Sequence, residues 1–128
     1  MIDVGSLLDD FEAGRIPGSE FPHEQHLRVA WGLARRYPHD EALGRLADGI
    51  RGIAARAGVP GKYHETMTRA WFELAAQAES LAAHPELLDR SLLLRYYSPA
   101  RLEAGRDEWV EPDLGPLVLA SVRDRSRA

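Results

Sequence analysis

Residues 21–36, FPHEQHLRVAWGLARR, carry the pattern that decides the fold class, because apolar residues and two histidines share one helical period. Pro22 is a favoured first-turn residue, and YPHD at 37–40 ends the segment, so the pattern predicts a helix over 22–36. At about 100° per residue, one side of this helix contains His23, His26, Leu27, Ala30, Leu33, Ala34 and Tyr37. The opposite side contains Glu24, Gln25, Arg28, Gly32, Arg35 and Arg36. Both histidines are therefore expected to face inward.

The rest of the chain is predicted to be helical as well. SLLDDFEAG begins at a Ser6 cap and ends at Gly14, and a third helix covers roughly 40–57. Glycines 44, 49 and 52 lower the intrinsic propensity of that third helix by about 1 kcal/mol each, so packing must hold it. A fourth helix is expected from about Lys62 to about Ala83.

The C-terminal third is expected to contain shorter elements. HPELLDRSLLLRYYS predicts a fifth helix, and SPARLEAG predicts a further turn with Ser98 as its N-cap. Pro112, Gly115 and Pro116 indicate that the tail, 105–128, packs in extended form, with its last residues frayed. No segment alternates like a strand. We therefore predict a single all-α domain over 1–128, a compact bundle of five to six helices with an extended C-terminal tail.

Composition narrows the classes of function. The chain has 128 residues, a net charge of −4 and scattered basic residues, which argues against a nucleic-acid partner. No apolar run approaches the ~20 residues of a membrane span, and MIDVGSLLDDFEAG is acidic, unlike a signal peptide, so a cytoplasmic protein is expected. There is no cysteine. Any metal ion would therefore rest on nitrogen and oxygen ligands.

A third histidine stands in GKYHET, residues 61–66. His64 is predicted to lie on the apolar stripe of the fourth helix, one turn from its start. His23 and His26 are three residues apart, which places their Cβ atoms about 5–6 Å from each other on a helix. Together the three imidazoles would form a nitrogen face with open positions for water and substrate. Such a set suits zinc, copper, iron or nickel.

Lysine and tyrosine residues are candidates for substrate contacts. Lys62 is the only lysine, and the helix macrodipole disfavours a cation near a helix start, which favours a role with an anion. Tyr63 is its neighbour, and only one of Tyr96 and Tyr97 is expected to reach the site, because adjacent helical residues face different ways. The first hypothesis is a small metal-dependent enzyme, hydrolytic, lyase-like or oxidative, that acts on a small metabolite.

Two alternatives stay open. Histidines in a half-buried pocket can exchange protons without a metal, as in a lyase, isomerase or cyclase, with Lys62 and Arg69 holding an anionic substrate. The other alternative is a non-enzymatic helical interaction module, a homodimer through its aromatic faces, whose histidines are structural. His39 and His84 stand at predicted helix boundaries and are expected to be surface or cap residues.

Several motifs occur together in this chain. They are F-x-H-x-x-H-L-x-x-A-W at 21–31, K-Y-H-E-T-x-T-x-A-W at 62–71, Y-Y-S-x-x-R-L at 96–102 and W-V-E-P-D-L at 109–114. The set resembles an uncharacterised family of small all-α bacterial proteins, over about residues 21 to 117. The resemblance implies a helical fold and no particular activity, so function has to be argued from chemistry.

Overall fold

The computed structural model describes residues 4–119, and within that range the protein is all-α, without a strand. Its α-helices are α1 (Val4–Glu12), α2 (His23–Arg36), α3 (His39–Arg56), α4 (Glu65–Gln77) and α5 (Pro99–Ala104). Short 3-10 helices lie between them at Gly18–Glu20, Pro60–Lys62, Pro85–Leu88 and Arg90–Arg95. The predicted all-α class with five to six helices is confirmed. No helix within the described range is long and apolar enough to cross a membrane.

Helix α2 lies at the centre and packs against α1, α3 and α4. Its bounds agree with the prediction to within one residue, because Pro22 is the N-cap and Tyr37 the C-cap. The expected outward position of Gly32 is wrong, since Gly32 is buried together with Leu27, Val29, Ala30 and Leu33. A helix that contacts three neighbours is buried over a wider arc than a single stripe.

Helix α4 is shorter than predicted at both ends. The chain first makes the 3-10 turn Pro60–Lys62, and His64 is the N-cap with an extended backbone, so the prediction that His64 lies one turn inside the helix is wrong. At the other end Ala78 is extended, and its carbonyl accepts hydrogen bonds from Trp31 Nε1 (3.0 Å) and from the Arg35 guanidinium. Contacts with α2 thus replace the next helical turn.

The predicted fifth helix is two 3-10 helices that meet at Asp89. The Asp89 carboxylate accepts hydrogen bonds from the backbone N–H of Ser91 (2.9 Å) and from its hydroxyl (2.7 Å), a local arrangement that competes with helix continuation. Ser98 is the N-cap of α5, as predicted, and its hydroxyl accepts a hydrogen bond from the Arg101 N–H at 3.2 Å.

The tail packs on the bundle in non-helical form from residue 105 to residue 119, as predicted. Thr66 Oγ1 donates to the Glu108 carbonyl (3.0 Å) and accepts from the Val110 N–H (3.1 Å). The Gln77 side chain binds the Leu117 carbonyl at 2.6 Å and the Leu119 N–H at 2.9 Å. The expected fraying of the last residues falls on 120–128, outside the described range.

Candidate functional site

A cleft of about 330 Å³ lies where the first turns of α2 and α4 approach the 3-10 helix Arg90–Arg95. Five of the predicted site residues line it together: His23, His26, Lys62, Tyr63 and His64. The remaining lining residues are Phe21, Ile50, Met67, Thr68, Trp71 and Arg90. The structure therefore brings both histidine motifs to one place.

Tyr96 and Tyr97 are not among the residues that line the cleft. Both rings are buried, and their hydroxyls donate to tail carbonyls, Tyr96 to Val118 (3.0 Å) and Tyr97 to Val110 (2.9 Å). Adjacent residues on a regular helix would face different ways, but these two follow a 3-10 turn and both turn toward the tail. Their observed role is to hold the tail.

His64 has both ring nitrogens engaged by the backbone. Its Nδ1 accepts from the Met67 N–H at 3.1 Å, so its Nε2 carries the proton and donates to the Leu102 carbonyl at 2.9 Å. Burial lowers the pKa of His64 more than the Leu102 carbonyl raises it, which favours this neutral tautomer. A ligand or metal ion can bind a ring nitrogen only after one of these bonds breaks.

His23 has one nitrogen engaged. Its Nε2 donates to the Leu87 carbonyl at 2.9 Å, which in the neutral ring leaves the lone pair on Nδ1. The imidazole meets the Trp71 ring edge to face at 4.4 Å between centroids. Burial lowers the pKa of His23 more than the hydrogen bond to the Leu87 carbonyl raises it, and the nearby positive charge of Arg90 also lowers it. His23 is therefore mainly neutral at pH 7.

His26 has a buried Nε2 atom without a hydrogen-bond partner among the described residues. Its ring stacks against Phe21 at 5.8 Å between centroids. Burial, followed by the proximity of His23, lowers the pKa of His26 to about 4, so the ring is neutral at pH 7. An unsatisfied buried polar atom costs about 1–3 kcal/mol, which a suitable ligand atom would recover.

Positive charge surrounds these neutral rings. Lys62 and Arg90 line the cleft, and neither forms an ion pair with any residue in the range 4–119. Within the part of the chain that the structure describes, no aspartate or glutamate lines the cleft. The first turns of α2 and α4 add the partial positive charge of helix N-termini. The cleft is thus electrostatically suited to an anion.

Tyr63 closes one wall of the cleft through a fixed hydrogen bond. Its hydroxyl donates to Glu65 Oε1 at 2.5 Å, and Arg51 binds the same oxygen at 3.1 Å while its guanidinium lies 4.6 Å over the Tyr63 ring. Burial and the Glu65 carboxylate raise the pKa of Tyr63 to about 12. The phenol is neutral at pH 7, and its proton is donated in the hydrogen bond to Glu65.

Arg90 is the cleft residue that the sequence pattern does not reveal. It follows the Asp89 break, and only the change from a regular helix to two 3-10 helices turns it toward the histidines. In the sequence Phe21, Ile50 and Met67 are ordinary apolar positions. Trp71, also a lining residue, contacts His23.

The predicted three-histidine metal site remains a prediction. Within residues 4–119 no three histidine, cysteine, aspartate or glutamate side chains are grouped so that they could hold a metal ion. His23, His26 and His64 line one cleft, but the ring nitrogens of His64 are directed at backbone atoms.

The two remaining histidines differ from each other. His39 lies on the surface at the start of α3, as expected, and binds Glu73 (2.5 Å) and Asp40 (2.8 Å). His84 occupies the N-cap position of the 3-10 helix Pro85–Leu88, which agrees with a boundary residue. The expectation of a surface position is wrong for its ring, which is buried, because this 3-10 helix packs against α2.

Comparisons of the chain with protein-family models, curated proteins and solved structures gave no match. The residues of the cleft are therefore the basis on which a function can be argued.

Proposed function

We propose that the cleft binds a small anionic metabolite and that the histidines of the cleft exchange a proton with it. The reaction would be of the lyase, isomerase or cyclase type. The observation that carries this proposal is that the Nε2 of His26 has no partner among residues 4–119 and lies in a cleft with two cations, Lys62 and Arg90, that form no ion pair within the same range. The described lining residues include no carboxylate, which supports the same conclusion, because none of these side chains repels an anionic ligand or pairs with the two cations in its place.

Lys62 and Arg90 have the role of anion ligands in this proposal. The Arg90 guanidinium is a planar fork suited to two oxygens of a carboxylate or phosphate, while Lys62 acts as a flexible point charge. The rings of Phe21 and Trp71 provide apolar walls that exclude water from the bound molecule. Exclusion of water strengthens each charge–charge contact within the cleft.

His26 has the role of general base. It is neutral at pH 7 because burial lowers its pKa, and its Nε2 has no protein partner to displace. An anion bound beside it favours the charged imidazolium and moves its pKa back toward neutrality, where proton transfer in both directions is efficient. His23, with its lone pair on Nδ1, is the second candidate for proton transfer.

Anion binding can be tested by thermal melts with inorganic phosphate and with mono- and dicarboxylates at constant ionic strength. We expect at least one of these anions to stabilise the native protein, and Arg90→Gln to weaken its affinity roughly ten-fold or more. Arg95→Gln is the matched control, because Arg95 ends the same 3-10 helix outside the cleft. Equal affinities in the two variants would contradict the anion site.

Proton transfer can be tested without knowledge of the full reaction. Any carboxylate found to bind is incubated with the protein in D₂O, and exchange of its acidic C–H protons is followed by NMR. We expect exchange with the native protein and its loss in His26→Gln, while binding of the anion persists. If the native protein binds the carboxylate but does not exchange its C–H protons, the proposal of proton transfer is contradicted and only anion binding is supported.

A metal centre is the second candidate, favoured by the presence of three imidazoles from two segments in one cleft. His23, His26 and His64 would hold zinc, copper, iron or nickel after His64 gives up one backbone bond. Elemental analysis of tag-free protein tests this candidate. A metal centre would give about one equivalent of metal ion per chain in the native protein, and the ion would be lost in His26→Ala. If neither a metal ion nor an anion binds, and the histidine variants only unfold, the result would favour the non-enzymatic helical interaction module whose histidines are structural.

A further inference from the structure

A second cavity, of about 300 Å³, lies between α3 and α4. It shares Tyr63 and Thr68 with the histidine cleft, so these two side chains form a partition between the two spaces. Its other lining residues are Asp40, Leu43, Gly44, Ala47, Asp48, Arg51, Glu65 and Arg69. Gly44 and Ala47 are small lining residues of this cavity, and a Cβ added at Gly44 would meet no atom within 4 Å.

Most charged groups around this cavity have a partner, but the carboxylates outnumber the paired cations. Arg51 pairs with both Asp48 (3.4 Å) and Glu65 (3.1 Å), and Asp40 binds His39, so these groups keep a net negative charge even when His39 is protonated. Arg69 is the exception, since it forms neither an ion pair nor a hydrogen bond with any residue between 4 and 119, and its Nε is buried without a partner.

The Arg69 guanidinium is stacked on the tail residue Trp109, 4.2 Å from the ring centroid. This contact uses the face of the guanidinium and leaves its N–H groups, which point outward in the plane, without acceptors among residues 4–119. Arginine does not lose its proton in proteins, so the charge cannot be relieved by titration. A negatively charged ligand group beside it would compensate this charge and accept a hydrogen bond from the buried Nε–H.

We infer that this cavity binds a small zwitterion of the amino-acid class, with its carboxylate on Arg69 and its ammonium group toward Asp40 and Asp48. The cation supplies the fork that a carboxylate fits, and the two aspartates lie on the exposed rim. A dianion would face three carboxylates, including Glu65, with a single unpaired arginine. The volume is at the small end of the range for ligand pockets, which suits a molecule of this size.

The three tryptophans make the two cavities distinguishable in solution. Trp71 lines the histidine cleft, Trp109 stacks on Arg69, and Trp31 donates to the Ala78 carbonyl away from both. The indole N–H resonances of the ¹⁵N-labelled full chain are assigned from single Trp→Phe variants. The probes are the twenty protein amino acids, with acetate and methylamine as the two halves of the zwitterion.

We expect at least one amino acid to shift the Trp109 resonance in a saturable way at millimolar concentration, with Trp31 unchanged and acetate and methylamine without effect. Arg69→Gln should weaken this binding roughly ten-fold or more. Lys62→Gln, a charge removal in the other cleft, should leave it unchanged. If Arg69→Gln does not fold, Arg69→Lys keeps the charge, removes the fork and should still weaken the binding.

Three results would overturn the assignment. The first is that no amino acid shifts the Trp109 resonance. The second is saturable binding of acetate as tight as that of any amino acid, which would show that the rim carboxylates contribute nothing. The third is binding that is unchanged in the Arg69 variant that folds.

Discussion

His26 is expected to make the protein sensitive to acid. Its pKa is lowered from 6.5 to about 4 in the native state, mainly by burial, so the unfolded chain binds a proton that the folded chain excludes. Its contribution to stability is complete above pH 6.5 and is lost as the pH falls toward 4. This shift in the pKa of His26 corresponds to roughly 3 kcal/mol of unfolding free energy. The lowered pKa values of His23 and His64 act in the same direction.

Urea unfolding of the native protein and of His26→Gln, carried out from about pH 7.5 down to about pH 4, measures this effect. This range covers both the ordinary pKa of histidine and the lowered pKa of His26. The native protein should lose more free energy of unfolding over the interval than the variant does. Parallel curves would show that His26 is not held neutral by the fold.

His39 is expected to have the opposite pH dependence. The hydrogen bonds that the His39 ring donates to the carboxylates of Asp40 and then Glu73 raise its pKa, so the folded state binds the proton more tightly than the unfolded chain does. The stabilisation is complete below pH 6.5, the ordinary value, and is lost as the pH rises through the pKa of the folded state. The effect should be under about 1 kcal/mol, because the side chain is half exposed and solvent screens the pair. The difference between native protein and His39→Gln should therefore shrink with rising pH in the same unfolding series.

Helix α3 contains two glycines whose replacement by alanine should have opposite effects. A Cβ at Gly49 would lie 2.2 Å from the buried ring of Phe11 in α1, whereas a Cβ at Gly44 would meet nothing within 4 Å. Gly49→Ala should destabilise by about 1–3 kcal/mol through overpacking, and Gly44→Ala should stabilise by about 0.5–1 kcal/mol. Thermal melts of the two variants against the native protein give the comparison, and a stabilised Gly49→Ala would show that α1 does not pack this closely.

The bounds of the elements show what the sequence pattern can predict. For α2 the proline before the helix and the YPHD stop lie in the local sequence, and the positions of His23 and His26 follow from the helical period alone. For α4 the pattern continues beyond Gln77, but the carbonyl of Ala78 bonds to Trp31 and Arg35 from α2, a contact that is distant in sequence. The sequence pattern does not reveal Arg90 as a cleft residue for a related reason, since its position depends on the Asp89 turn and on the docking of that segment.

At the scale of the whole molecule, the buried residues of the described range form one core, which extends from Leu7 in α1 to Leu119 in the tail. Both cavities depend on this continuity, because Trp109 of the tail stacks on Arg69 and Leu102 of α5 holds His64. Gly105 packs closely on α4, where a Cβ would lie 2.3 Å from Thr66 Oγ1. The tail is therefore an integral layer of the fold rather than an appendage.

One cooperative unfolding transition should follow from that single core, and Thr66→Val tests it. The substitution removes a hydroxyl that satisfies the Glu108 carbonyl and the Val110 N–H, so it should cost about 1–3 kcal/mol. If tail and bundle unfold together, far-ultraviolet circular dichroism and the Trp109 resonance will report the same lowered midpoint. Glu108→Gln, a change in an exposed side chain that leaves the backbone carbonyl in place, should alter neither signal. Loss of the Trp109 signal at lower denaturant than the helical signal would show that the tail detaches first, and both cavities would then be open in a partly unfolded state.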